Sequence, residues 1–209
     1  MAIMPLPNRN VNYSLNNYPE RWEKFVNYTH KQVMELMTGY GRVDILWLDG
    51  GWSWTPGAEY MSGRRAIHML VDIVAKGGNL LLNIAPGPDG SWDRGAYRLL
   101  EDIGTWMDIN SEAIYGTRAI APYKEGKICY TSGKDGTLYA IYLLDEGEKV
   151  PEEININGIS IARGSEIRMT GEGEKLKWTM TDKGCRIFIP AEKADAKYAF
   201  SLKIDPKKH

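Results

Sequence analysis

The chain has few of the residues that build metal sites and covalent cross-links. Its 209 residues include two cysteines, Cys129 and Cys185, and three histidines, His30, His68 and His209. No CxxC motif and no His/Cys cluster occurs, which argues against a zinc site. The cysteines read as small buried hydrophobes, and a bond between them would need an oxidising compartment. Charge of one sign is also lacking. Lys and Arg total 26 against 27 Asp and Glu, a formal net charge of -1. No basic excess exists to steer a nucleic acid, and there is no acidic tail. No apolar run approaches the ~18–20 residues of a membrane span. Residues 1–10 hold Pro5 and Pro7 and no apolar core, so no secretory leader is read there. No organic-cofactor motif is visible. What remains is 43% hydrophobic and 25% charged, the balance of a globular protein of one or two domains.

Periodicity divides the chain. Val11–Leu15 is a short extended candidate. Asn17, Pro19 and Glu20 open a helix on which Trp22, Phe25, Val26, Thr29, Val33, Leu36 and Met37 recur at helical spacing. Val43–Leu48 reads as a strand ending at Asp49-Gly50-Gly51. A second helix is expected from about Arg64 to Lys76, stopped by Gly77-Gly78. Asn79–Ile84 is a continuous apolar run that reads as a strand buried on both faces. Pro86–Gly90 is a loop, and Ser91 is a candidate cap for a third helix reaching Met107. Strand–helix–strand–helix order implies parallel pairing, as in part of a barrel or a doubly wound sheet. From about Gly116 the helical period disappears. Short strand candidates follow at Lys127–Ser132, Thr137–Leu144, Glu152–Ile156, Glu166–Met169, Lys175–Met180, Cys185–Ile189 and Lys197–Ile204, as in an antiparallel sandwich. The fold class is thus α/β followed by all-β, with a boundary near 115–120.

The strongest chemical signal is Trp47-Leu48-Asp49-Gly50-Gly51-Trp52. A carboxylate at the C-terminal end of a parallel strand stands where α/β folds place reactive groups. Two flanking indoles offer flat faces to sugar rings, although a turn-capping Asp49 with core tryptophans fits the same pattern. Seven tryptophans and twelve tyrosines suit a carbohydrate site and a packed core equally. A glycosidase generally needs two carboxyl groups. Glu59, Asp44, Asp89 and Asp93 are the nearby candidates, with strand, turn and cap roles as the commoner readings. Arg64, Arg65 and Asn83 could orient a ligand, but solvated and loop roles are commoner. His68 suits a structural role.

These stretches together resemble the α-L-fucosidases of glycoside hydrolase family twenty-nine. The resemblance runs through Tyr18-Pro19-Glu20-Arg21-Trp22, the segment Val43–Trp52, and Leu70–Ile84 with Pro86-Gly87-Pro88-Asp89-Gly90. It continues through Ile103-Gly104-Thr105-Trp106 and Asn110–Thr117, then Gly173–Trp178 and Ala196–Phe200. It implies a partial (β/α)8-like barrel over 1–116 and a C-terminal antiparallel β-sandwich domain over 117–209. It also implies a fucosylated glycan as substrate, a retaining mechanism, and no metal or other cofactor. By position, Asp49 would be the nucleophile, and Trp47, Trp52 and Tyr13 would bind substrate. The family's early strands, with their histidine-rich sugar motif, have no counterpart here. The stretch that holds its acid/base is replaced by about seventeen residues between Trp52 and Leu70. Glu59 is the acid/base candidate left. A partial barrel leaves sheet edges and apolar surface to be covered. Self-association as a homo-oligomer, a partner chain completing the barrel, or a rearranged compact fold would each cover them. The competing readings are a working shortened fucosidase, a remnant that only binds fucosylated carbohydrate, and a subunit needing its missing half. No nucleic-acid or membrane partner is expected. Family relatives are often exported, so the resemblance is compatible with an extracellular or periplasmic setting, while the residues themselves leave the compartment open.

Overall fold

The computed structural model describes residues 19–39, 60–84, 90–190 and 196–206. The chain forms two compact units, residues 1–57 and 58–209. In the first unit the described element is α1 (Pro19–Gly39). Its first turn joins Pro19, whose fixed φ suits that position, to Glu20, which complements the N-terminal dipole. Val26, Thr29 and Val33 form its half-buried face, and the Trp22 and Phe25 rings lie 5.6 Å apart. The candidates at 11–15 and 43–48 and the 86–89 part of the proline-rich loop lie outside the described residues.

The second unit begins with α2 (Gly63–Ala75) and α3 (Arg94–Asn110), followed by a 3-10 turn at Ser111–Ala113. Ser62 caps α2 by accepting from the Arg65 N–H at 3.2 Å. Asp93, rather than the expected Ser91, caps α3, because its carboxylate reaches the N–H groups of Gly95 and Ala96 at 2.8 and 3.0 Å. Eight strands follow: β1 (Arg118–Glu125), β2 (Ile128–Ser132), β3 (Leu138–Leu143), β4 (Glu153–Ile156), β5 (Glu166–Met169), β6 (Lys177–Thr181), β7 (Gly184–Phe188) and β8 (Ala199–Asp205). Every pairing between them is antiparallel, in a five-stranded sheet ordered β1-β2-β3-β8-β5 and a three-stranded sheet ordered β4-β7-β6.

The five-stranded sheet is covered on both faces. Ile128, Tyr130, Ala140, Phe200, Leu202 and Ile204 share one core with Ile154, Ile156, Cys185 and Ile187 of the smaller sheet. Cys129, Tyr139, Ile141, Leu143 and Ala199 share another with Ile67, Val71 and Ala75 of α2 and Trp106 of α3. Double coverage explains the unbroken apolar texture of β2 and β3, whose two faces both enter a core. Each fully buried Ile or Leu there contributes about 1.5–3 kcal/mol. The cysteines are free and fall in different cores.

Two expectations change. β1 is a strand although Pro122 interrupts its sequence. It lies at a sheet edge, with a register shift between Ala119 and Lys124. A residue without an N–H is tolerated there because no ladder bond is lost. Conversely, residues 78–84 form no helix and belong to no ladder, and Leu81 is 59% exposed. Among the described residues no neighbouring strand satisfies that backbone, so the apolar run does not become the buried strand its composition predicts.

Candidate active site

Tyr13, Trp47, Asp49, Trp52 and Glu59, the residues singled out for sugar chemistry, lie outside the described residues. Tyr60, the residue after Glu59 in the sequence, is described. Tyr60, next to Glu59, donates its hydroxyl proton to Asp93 Oδ2 at 2.9 Å. Its ring occupies the space that a side chain at 95 would need, since a Cβ on Gly95 would lie 2.6 Å from Tyr60 Cδ2. Residue 60 therefore meets residue 93 across 33 positions of sequence. The bonds from Ala96 N–H, Tyr60 and Gly95 N–H hold the Asp93 carboxyl below its ordinary range despite some desolvation. The same pair raises the Tyr60 phenol, chiefly through the bond to Asp93. This carboxylate caps α3 and holds the Tyr60 hydroxyl.

Two other candidates meet Tyr198. His68 Nε2 lies 2.9 Å from the carbonyl oxygen of Tyr198, and Arg64 sits 5.8 Å over the Tyr198 ring. Asn83 is exposed. Asp102 pairs with Lys197 at 3.0 Å; burial pushes its carboxyl up, but bonds from Tyr198 and Lys197 bring it below the usual range. Trp106 Nε1 donates to the carbonyl of Ala199 at 2.8 Å. A buried polar cluster next to it was not visible in the sequence. Asn110 Oδ1 accepts from Ser201 N–H at 3.1 Å and from Ser201 Oγ at 2.6 Å, and Ser201 Oγ lies 2.8 Å from Thr170 Oγ1. These bonds fasten α3 to β8. Among the described residues no three His, Cys, Asp or Glu side chains are grouped to hold a metal ion. No described helix is long and apolar enough to cross a membrane.

Two cavities flank α3. One, of about 490 Å³, is lined by Leu70, Val74, Leu80, Ile103, Met107 and Tyr115. The other, of about 500 Å³, is lined by Asp102, Trp106, Asn110, Glu172, Lys197 and Tyr198. The first mixes apolar side chains with Asn79, Thr117 and Arg118. In the second, the described carboxylate of Asp102 is paired and the Asn110 amide is bonded on both sides. The residues singled out for sugar chemistry are in neither lining.

The chain is similar to proteins of a known family. Residues 51–112 match the family model "Alpha-L-fucosidase", and residues 123–205 match "Alpha-L-fucosidase C-terminal domain". The human plasma alpha-L-fucosidase is 28% identical over 180 residues, which cover 82% of this chain and 34% of that protein. The human tissue alpha-L-fucosidase is 34% identical over 147 residues, covering 66% of this chain and 30% of the relative. Among solved structures, the Thermotoga maritima alpha-fucosidase superposes with a TM-score of 0.60 at 29% identity. That superposition covers 71% of this chain and 36% of the other. The chain thus spans about a third of the length of the relatives it matches. The class is that of proteins in which an antiparallel β-domain follows a segment matched by the alpha-L-fucosidase model. Within that class the chain belongs to the alpha-L-fucosidase family and carries its C-terminal part. Trp52 and Glu59 fall inside the first matched range, whereas Tyr13, Trp47 and Asp49 precede it.

Proposed function

We propose that this chain is a shortened α-L-fucosidase that releases L-fucose from fucosylated glycans with retention of configuration. The observation that carries the reading is the two matches in series, the alpha-L-fucosidase model from residue 51 and its C-terminal domain from residue 123, directly after Asp49 in the sequence. In this reading residues 1–116 are the remaining part of a (β/α)8-like barrel and residues 117–209 the β-sandwich domain. The Asp49 carboxylate attacks the anomeric carbon while Glu59 gives a proton to the departing glycosidic oxygen. A covalent fucosyl–Asp49 ester results. Glu59 then takes a proton from water, which attacks the same carbon and frees Asp49. Retention requires the two carboxyls to stand ~5–5.5 Å apart. Trp47, Trp52 and Tyr13 line the fucose pocket. The Tyr60–Asp93 bond supports this scheme by fixing the residue next to Glu59.

The experiment is hydrolysis of an aryl α-L-fucoside by the chain and by Asp49→Ala and Glu59→Gln. The expected result is turnover by the parent, loss with Asp49→Ala, and partial rescue of Asp49→Ala by azide. A folded parent that binds fucose without turnover would identify a binding remnant. Activity restored only by a second chain bearing the missing strands would identify an incomplete subunit.

A further inference from the structure

The small sheet has an outer face that takes no part in the cores. Strand alternation turns Ile154, Ile156, Cys185 and Ile187 inward and Glu153, Asn155, Arg186, Phe188, Lys177 and Thr179 outward. The register arranges these in rows across the sheet. Phe188 stands between Glu153 and Lys177, and Arg186 stands between Asn155 and Thr179. The row beyond them has no side chain at its centre, because Gly184 is there; a Cβ at 184 would lie 1.9 Å from the carbonyl oxygen of Ile156. A shallow cavity of about 390 Å³ opens at that end, lined by Asn155, Asn157, Thr181, Asp182, Lys183 and Arg186. That volume lies within the ~300–1,000 Å³ range of small-molecule sites.

We propose that this face, carried wholly by residues 153–188, binds uncharged oligosaccharide. Three features point to that ligand. Phe188 is 39% exposed and presents an apolar surface amid polar side chains, which suits the C–H face of a pyranose. One step along β7, the Arg186 guanidinium is braced: its Nε donates to Asn155 Oδ1 at 3.2 Å and its Nη1 lies 4.0 Å from Glu153. A preset planar donor loses less freedom on binding than a mobile one. Successive outward residues on a strand stand ~6.6–7 Å apart, comparable with one sugar ring, so the ring of Phe188 and the polar cavity address neighbouring sugars. The charges are interleaved, with Glu153 and Asp182 among Lys177, Lys183 and Arg186. Such a lining makes little net field to attract a polyanion, while its carboxylates, ammonium groups and carboxamides match hydroxyls that both donate and accept. The proposal rests on the fucosidase reading only in the choice of probe.

The test is titration of the ¹⁵N-labelled full chain with 2′-fucosyllactose, lactose and 3′-sulfolactose, followed by amide shifts. Saturable shifts confined to residues 153–157 and 177–188 are expected with the two uncharged sugars. Phe188→Ala and Arg186→Ala should each weaken binding about tenfold, with thermal melting unchanged. Tyr97→Ala on α3 should leave binding intact. Asp49→Ala should also leave these shifts intact, so failure of the catalytic reading and failure of this one remain separate. No saturable shift on these strands, shifts indifferent to both substitutions, or a preference for the sulfated sugar would each overturn the proposal.

Discussion

Two apolar runs in this chain have nearly the same texture and opposite fates. Leu138–Leu143 becomes β3, the central strand of the larger sheet, paired with β2 and β8 and covered on both faces. Asn79–Ile84 is equally strand-like in composition, yet it joins no ladder and leaves Leu81 59% exposed. The difference lies in the partners. A strand is stabilised by neighbours that satisfy its backbone and cover its faces; composition states the requirement but does not meet it. The β-domain contains every strand its own strands need. The α/β-like portion holds a run that asks for neighbours the described residues do not provide.

Substitutions can break this comparison. Ile141→Ala, in the middle of β3 and fully buried, should cost ~2–5 kcal/mol by urea unfolding, because it leaves a cavity. Leu81→Ala should stay within ~0.5 kcal/mol. A large loss at Leu81 would mean that this run is covered in solution and that the contrast is false. Asn110→Ala should cost ~1–3 kcal/mol, since it leaves the buried Ser201 N–H and hydroxyl short of their acceptor. Removing the α2 cap with Ser62→Ala should cost ~1 kcal/mol.

The β-domain also makes the sharper pH prediction. Glu125 accepts from Gly158 N–H, Asn157 N–H, the Asn157 amide and the Tyr130 hydroxyl at 2.8–3.1 Å. Burial pushes its carboxyl up, but these bonds outweigh that and hold it below the ordinary value. Glu148, bonded to Lys127, Tyr142 and the Asp145 N–H, behaves the same way. A carboxyl lowered in the folded state adds stability that is fully present above its unfolded pKa, about 4.3. That stability disappears as pH falls through the lower folded value. Urea midpoints should therefore drop from pH 5 downward, with a shallower slope for Glu125→Gln. At the small end, neither cysteine should react with a thiol reagent in the folded chain. Both are buried, and burial pushes the Cys185 thiol up to about 11.

Much of the fold was legible because it is local. The 3.6-residue period gave α2 and α3 to within a few residues, and alternation or apolar runs gave β2 to β8. β1 was illegible because Pro122 breaks the pattern that an edge position tolerates. The α3 cap was assigned to Ser91, although Asp93 in Asp93-Arg94-Gly95-Ala96 stands where its carboxylate can reach two N–H groups. Sheet order was hidden, as was the Asn110–Ser201–Thr170 cluster, whose members are 91 and 31 residues apart. The candidate site was legible only as a motif. Trp47-Leu48-Asp49-Gly50-Gly51-Trp52 reads as a carboxylate after a strand candidate, but chemistry depends on which groups face that carboxylate, and no local pattern encodes them.

The central claim is that Asp49 forms a covalent bond to fucose. The direct test is to incubate the folded chain with 2-deoxy-2-fluoro-α-L-fucosyl fluoride and measure intact mass, then map the labelled peptide. The account predicts a single 2-fluorofucosyl adduct on Asp49, absent from Asp49→Ala. An unlabelled chain, or label on another residue, would contradict it.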